Sequence, residues 1–268
     1  MAAEKVETCY QDCCVQSFQF YLEHSGEHQA ILQCVQSVLP GEFSRIGAGK
    51  SSLDVLGVGS GGGQMDVGIV TLLQSTFPSA QMTADIVEGS KELIDNFKAL
   101  VAKTASLKNV QFQWHIMTSE DYIKKVQEVQ PLKKYDFIHM IQMIYYVEDM
   151  AAAIQFYHGL LKENGRLMII VEIGNGGWDT LWKTHKKDLC THTITEYRSS
   201  GEVKACLDKL GLKYDEHTIP NTFDISECFN PKSKLGCDLL NFMTAKDDFH
   251  ASLTRNQGVH LGCAEKQV

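Results

Sequence analysis

Apolar residues along this chain follow two alternating rhythms. Continuous apolar runs at 53–58, 81–87, 110–115, 135–141 and 166–172 read as strands, and the run Leu167-Met168-Ile169-Ile170-Val171 has the unbroken apolarity of a strand buried on both faces. Between them, amphipathic stretches at 64–76, 90–103, 120–130, 150–161 and 199–210 read as helices, with Gly211 placed to stop the last one. This strand–helix alternation predicts an α/β fold: a Rossmann-like, mostly parallel sheet with helices on both faces. Residues 212–218 form a shorter, more polar strand candidate. The first 50 residues differ, with helical patterns at 14–21 and 27–38 and Pro40-Gly41 as punctuation, so a helical cover ahead of the first strand is expected.

Composition narrows the function classes. A chain of 268 residues with 44% hydrophobic and 22% charged residues suits a globular α/β protein. No apolar run approaches 18 residues, so no membrane span is expected, and the polar N-terminus lacks the apolar core of a secretory signal. The net charge of −8 argues against nucleic acid and is compatible with a cationic small molecule. The nine cysteines contain no C-x-x-C pair, which excludes the common zinc and thioredoxin spacings and fits reduced thiols in the cytoplasm. His24, His28, His115 and His139 show no metal-ligand spacing, so no metal is expected.

The first strand runs into Gly57-x-Gly59-x-Gly61-Gly62-Gly63. Glycine lets the backbone turn sharply and lie close to a ligand, and the following helix aims its free N–H groups at the turn. Gly57, Gly59 and Gly62 match the dinucleotide pattern G-x-G-x-x-G. Gly59, Gly61 and Gly63 match the G-x-G-x-G pattern of S-adenosyl-L-methionine (SAM) enzymes. Glu88 closes the second strand, where a carboxylate can accept hydrogen bonds from both ribose hydroxyls of either cofactor.

The later strands favour SAM. Tyr135-Asp136-Phe137-Ile138-His139, an aromatic turn, a helix and Leu160-Leu161-Lys162-Glu163-Asn164-Gly165-Arg166-Leu167 together resemble the class I SAM-dependent methyltransferases. Rarer segments narrow the resemblance: 21–29, 137–147, Gly177-Trp178-Asp179-Thr180-Leu181-Trp182 and 210–214 are similar to the histamine N-methyltransferase family, over about residues 14–245. The resemblance implies one methyltransferase domain over 1–268: a substrate cover at 1–50, a SAM-binding core at 51–218 and a substrate-side segment at 219–268. It implies that Gly59, Gly61, Gly63 and Glu88 hold SAM, with Ser119 and Ile141 on the adenine side. It makes Glu27 and Gln142 the polar substrate contacts, and Phe18, Tyr145, Tyr146, Trp178, Trp182 and Phe242 the aromatic wall. The chemistry agrees, because a carboxylate and aromatic faces suit a cationic imidazole. Methylating a neutral ring nitrogen needs alignment more than proton transfer, so no catalytic base is nominated. A monomer acting on a small cationic imidazole is expected.

Five departures from the pattern qualify these expectations. Gly57 stands where many class I enzymes have an acid, Leu93 where the family has a glutamine contacting SAM, and Cys14 where an aromatic lines the pocket. Residues 183–188 are shorter than the family segment. The tail after Phe249 offers no good final antiparallel strand and no substrate-contacting asparagine, so either a truncated or alternatively spliced form or a substitute tail of another kind is expected. Three alternatives therefore stand beside histamine methylation: a larger imidazole such as carnosine, a catalytically impaired SAM-binding variant, and, weakest, an NAD(P) oxidoreductase.

Overall fold

The computed structural model describes residues 20–186 and 197–244. After a helical turn at 20–24, α1 spans Glu27–Gly47, and five strands alternate with helices: β1 (Ser52–Val58), α2 (Gln64–Thr76), β2 (Gln81–Glu88), α3 (Lys91–Lys103), β3 (Gln111–Ile116), α4 (Ser119–Gln127), β4 (Tyr135–Ile141), α5 (Met150–Gly159) and β5 (Leu161–Ile170). Then come α6 (Gly177–Thr184), α7 (Ser200–Lys209) and α8 (Lys234–Thr244). The sheet order is β3-β2-β1-β4-β5, and every pairing is parallel. All five strands therefore end at one edge, with the order reversing beside β1, where open α/β sheets place ligands.

Side-chain alternation in the central strands feeds two cores. Leu53, Val55 and Phe137 pack with Val35, Leu39 and Phe43 of α1, Ile69 and Leu73 of α2, and Ile94 and Phe97 of α3. Leu56, Val58, Ile138 and Met140 pack with Tyr122 of α4, Ile154 and Tyr157 of α5, and Val203 of α7. The amino edge of the sheet is closed by ion pairs. Lys162 reaches Asp54 at 2.6 Å and Asp136 at 2.7 Å, and Lys133 reaches Asp85 at 3.0 Å. The carboxyl edge is left for chemistry.

The structure corrects three sequence expectations. Helix α1 does not stop at Pro40 but continues to Gly47. A proline inside a helix costs about 3 kcal/mol. Leu39, Phe43 and Ile46 around it are buried, and each such side chain contributes about 1.5–3 kcal/mol, so packing outweighs the local penalty. β5 begins at Leu161 rather than Arg166, because parallel pairing starts at Tyr135 opposite Leu161 and resumes at Phe137 opposite Arg166. The intervening turn, with Asn164 at φ 62°, is a bulge inside the strand. Residues 212–218 are irregular rather than a strand. Among the described residues no strand pairs with the outer edge of β5, so this polar segment has no ladder to join. The tail after Phe249 and Cys14 lie outside the described residues.

Candidate active site

The glycine loop follows β1 directly. Gly59, Gly61 and Gly63 all take positive φ, at 67°, 54° and 82°, whereas Gly57 does not, so the G-x-G-x-G phase is the one the backbone uses. The last two glycines serve different ends. A Cβ on Gly63 would run into the Phe97 ring, so this glycine lets the loop seat on α3. A Cβ on Gly61 would meet nothing within 4 Å, so this residue faces open space, as a ligand-facing turn requires. Glu88 ties loop and sheet together. One carboxylate oxygen accepts from the Gly61 N–H and the other from the Ser90 N–H, each at 2.8 Å. Burial holds the Glu88 carboxyl above its ordinary pKa, against the downward pull of those two donors. Each oxygen keeps a lone pair, which fits a diol such as a ribose.

Ser119 opens α4 beyond β3, buried, with its hydroxyl 2.9 Å from that of Tyr157, and Ile141 ends β4. The cofactor residues named from the sequence thus come together along the carboxyl ends of β1 to β4. A carboxylate from another element stands beside Gly57. The carboxylate of Asp66, on α2, occupies the space a Gly57 side chain would take. Asp66 Oδ1 accepts from the Ser60 hydroxyl at 2.8 Å and lies 3.2 Å from His139 Nε2, with Asp66 and His139 both buried. Sequence reasoning missed Asp66 because a helix, not the strand, carries it.

The second half of the site lies beyond β4 and β5. A cavity of about 1570 Å³ is lined by Glu27, Gln142, Glu172, Trp178 and Phe223, and it runs along the outer edge of β5. The loop glycines and Glu88 do not line it. Glu27, the first residue of α1, is 7% exposed and accepts from the Tyr21 hydroxyl at 2.9 Å. Burial foremost, then the charge of Glu172, pushes its carboxyl up to about 7 despite the hydrogen bonds of Tyr21 and Gln142. Gln142 sits just past β4 in the left-handed region at φ 50°, held by its N–H donating to the Ile170 carbonyl at 2.9 Å. A non-glycine there stores local strain, a feature that clusters at ligand sites.

The aromatic residues form two groups. Tyr21 stacks on Phe242 at 4.6 Å and meets Trp178 edge-on at 5.7 Å and Phe223 at 5.1 Å. Tyr145 pairs with Tyr146 at 4.7 Å and stacks on Tyr197 at 6.3 Å, and Tyr197 stacks on the buried Trp182 at 5.8 Å. Trp178 therefore faces the cavity, while Phe242, Tyr145, Tyr146 and Trp182 stand outside its lining. Phe18 lies outside the described residues. Sequence reasoning did not single out Tyr21, Glu172, Tyr197 or Phe223. Only Glu172 carried a usable signal: like Glu88 and Gln142, it stands at a strand's carboxyl end. Among the described residues no helix is long and apolar enough to cross a membrane, and no cluster of His, Cys, Asp and Glu could hold a metal ion.

A parallel sheet with this loop and an acid closing β2 is the layout of a Rossmann-like methyltransferase. A methyltransferase-domain family model matches residues 28–217. The plantazolicin methyltransferase BpumL, solved in complex with SAH, shares the fold, with a TM-score of 0.51, 12% identity, and 93% of this chain and 88% of that one covered. Histamine N-methyltransferase of Bos taurus is 38% identical over 238 residues, covering 89% of this chain and 82% of the relative. Histamine N-methyltransferase A of Xenopus laevis is 39% identical, covering 88% and 80%. Carnosine N-methyltransferase 2 of Gallus gallus is 37% identical, covering 88% and 73%. The chain belongs to the histamine N-methyltransferase family.

Proposed function

We propose that this protein is a SAM-dependent N-methyltransferase that transfers a methyl group to a ring nitrogen of histamine. The observation that carries the reading is the set of Glu27, Gln142 and Trp178 around one cavity beside the outermost strand of a methyltransferase sheet. Among the described residues Glu27 has no ion-pair partner, so a buried carboxylate is left for a cation. In this reading Gly59, Gly61 and Gly63 admit the cofactor to the backbone, Glu88 takes its ribose, and Ser119 and Ile141 flank its adenine. Bound SAM supplies an electrophilic methyl on a sulfonium. The chain's own task is to fix the imidazole in line with it and keep water out. Glu27 and Gln142 orient the polar ends of the substrate. Trp178 covers the ring, backed by Phe242, while Tyr145, Tyr146 and Trp182 shape the wall; Phe18 is proposed to complete it.

No group is assigned as a general base, because a neutral imidazole nitrogen already presents its lone pair. The proposed protein is one domain over 1–268 and a cytoplasmic monomer, a setting in which free thiols such as those of Cys34 and Cys206 persist. Methylation of carnosine is the second reading, favoured by the 37% identity to a carnosine N-methyltransferase. Transfer of radiolabelled methyl from SAM to histamine and to carnosine, compared at equal concentration, decides between them. Preference for histamine supports the first reading. Preference for carnosine supports the second, and no transfer to either overturns both.

A further inference from the structure

Glu172 lies two residues beyond the end of β5, and nothing said so far gives it a role. Its Oε1 accepts from Gln142 Nε2 at 2.9 Å, and it lines the same cavity as Glu27. The Gln142 amide also acts on Glu27, lowering that carboxyl's pKa, so one amide serves both carboxylates. The bond to Glu172 uses the NH₂ end of the amide, which leaves Oε1 as its free acceptor. This Oε1 is buried and has no partner. The surroundings offer little relief to the paired charge. Among the described residues neither Glu27 nor Glu172 has a cationic partner, and the nearby hydroxyls of Tyr21, Tyr145 and Tyr197 are all held protonated, by burial foremost and by neighbouring groups that include these two acids. The site therefore holds three acceptors (two carboxylates and an amide oxygen) and is short of cations and N–H donors. Burial holds both carboxyls above their ordinary pKa, and a cationic ligand favours their ionised forms.

We propose that Glu172 is a second substrate-binding carboxylate, which with Glu27 and Gln142 makes the site select imidazoles that carry a separate ammonium group. This rests on the imidazole-methylation reading and sharpens its substrate class. One carboxylate takes the ammonium, the other takes the ring N–H, and Gln142 Oε1 accepts a remaining proton. The same two charges disfavour a ligand with its own carboxylate, such as carnosine, so Glu172 sets the balance between the two candidate substrates.

The test compares binding of histamine, of its neutral-tailed analogue imidazole-4-ethanol, and of carnosine by calorimetry, in the wild type and in Glu172→Gln. The glutamine keeps the shape of the side chain and an acceptor for Gln142 but removes the charge. The expected result is a loss of about tenfold or more in histamine affinity, the neutral analogue unchanged within about twofold, and carnosine binding equal or tighter. Glu172→Asp, which keeps the charge, is expected to recover part of the histamine preference, with both variants melting as the wild type does. Equal losses for histamine and the neutral analogue, or no loss for either, overturn the proposal. A wild type that binds and methylates histamine while Glu172→Gln behaves identically overturns this inference alone. A wild type that binds no imidazole overturns the function reading along with it.

Discussion

The glycine loop lies at the carboxyl ends of the central strands and the carboxylate–aromatic cavity runs along the outer edge of β5, and the two are assembled in different ways. The loop is local. Gly59, Gly61 and Gly63 follow β1 without a break, and their hydrogen-bond partners Val87 and Glu88 close the neighbouring strand. The cavity is built from distant segments: Glu27 from α1, Gln142 after β4, Glu172 after β5, Trp178 from α6 and Phe223 from the chain beyond α7. Short-range geometry thus fixes the cofactor half, and long-range packing fixes the substrate half. Damage to the first should register as lost fold and lost cofactor together, and damage to the second as lost substrate affinity alone.

The largest expected effect tests the first half. Gly63→Ala combines a strained left-handed backbone with a methyl driven into Phe97, and should cost about 2–5 kcal/mol, lowering the melting temperature by roughly 10 °C and abolishing S-adenosylhomocysteine binding. Gly61→Ala has the strain without the collision. It should cost only about 1–2 kcal/mol of stability, measured by thermal melting, while still weakening the cofactor. If both variants lose equal stability, the division of labour within the loop is wrong.

Next comes Glu27→Gln in the second half. Removing a buried charge that meets a cation should weaken histamine by about 30–100-fold, with S-adenosylhomocysteine affinity unchanged. A parallel loss of cofactor affinity would erase the contrast between the halves.

Acidity gives a smaller, graded effect. Glu27 has its carboxyl raised from 4.5 to about 7, mainly by burial. Histamine affinity should therefore rise about tenfold between pH 6 and pH 8 as the carboxylate forms. The stability sign is opposite. With the folded pKa above the unfolded one, the unfolded chain loses its proton first as pH rises, so this group lowers ligand-free stability progressively between pH 4.5 and 7. Melting curves of the wild type and Glu27→Gln should converge near pH 4.5 and separate by pH 8, with the variant higher.

The smallest change, Pro40→Ala, should stabilise α1 by about 1–2 kcal/mol without altering affinity for either ligand, because Pro40 lies four turns from Glu27 along a helix already locked by its apolar stripe. A shift in histamine affinity would mean that the helix position, and not only its end, sets the site.

The same local-versus-distant contrast explains what could be read from the residues. β4 emerged with its observed bounds, because an apolar run is a property of a few neighbours, whereas the glycine spacing fitted two patterns and only the later strands chose between them. Pro40 misled because Leu39, Phe43 and Ile46 find their partners tens of residues away. Residues 212–218 have a strand's local pattern but no adjacent strand among those described. Asp66 stands beside Gly57 through a helix contact that spacing along β1 does not reveal. Family resemblance named Glu27 and Gln142, and the fold added Glu172, the carboxylate that holds the Gln142 amide.

The most direct test of the account is methyl transfer from SAM to histamine, with the product resolved by mass spectrometry and NMR. The account predicts one added methyl, on a ring nitrogen, and a rate that falls at least tenfold in Glu27→Gln. A protein that binds S-adenosylhomocysteine but leaves histamine unmethylated, or that methylates the amine, would contradict it.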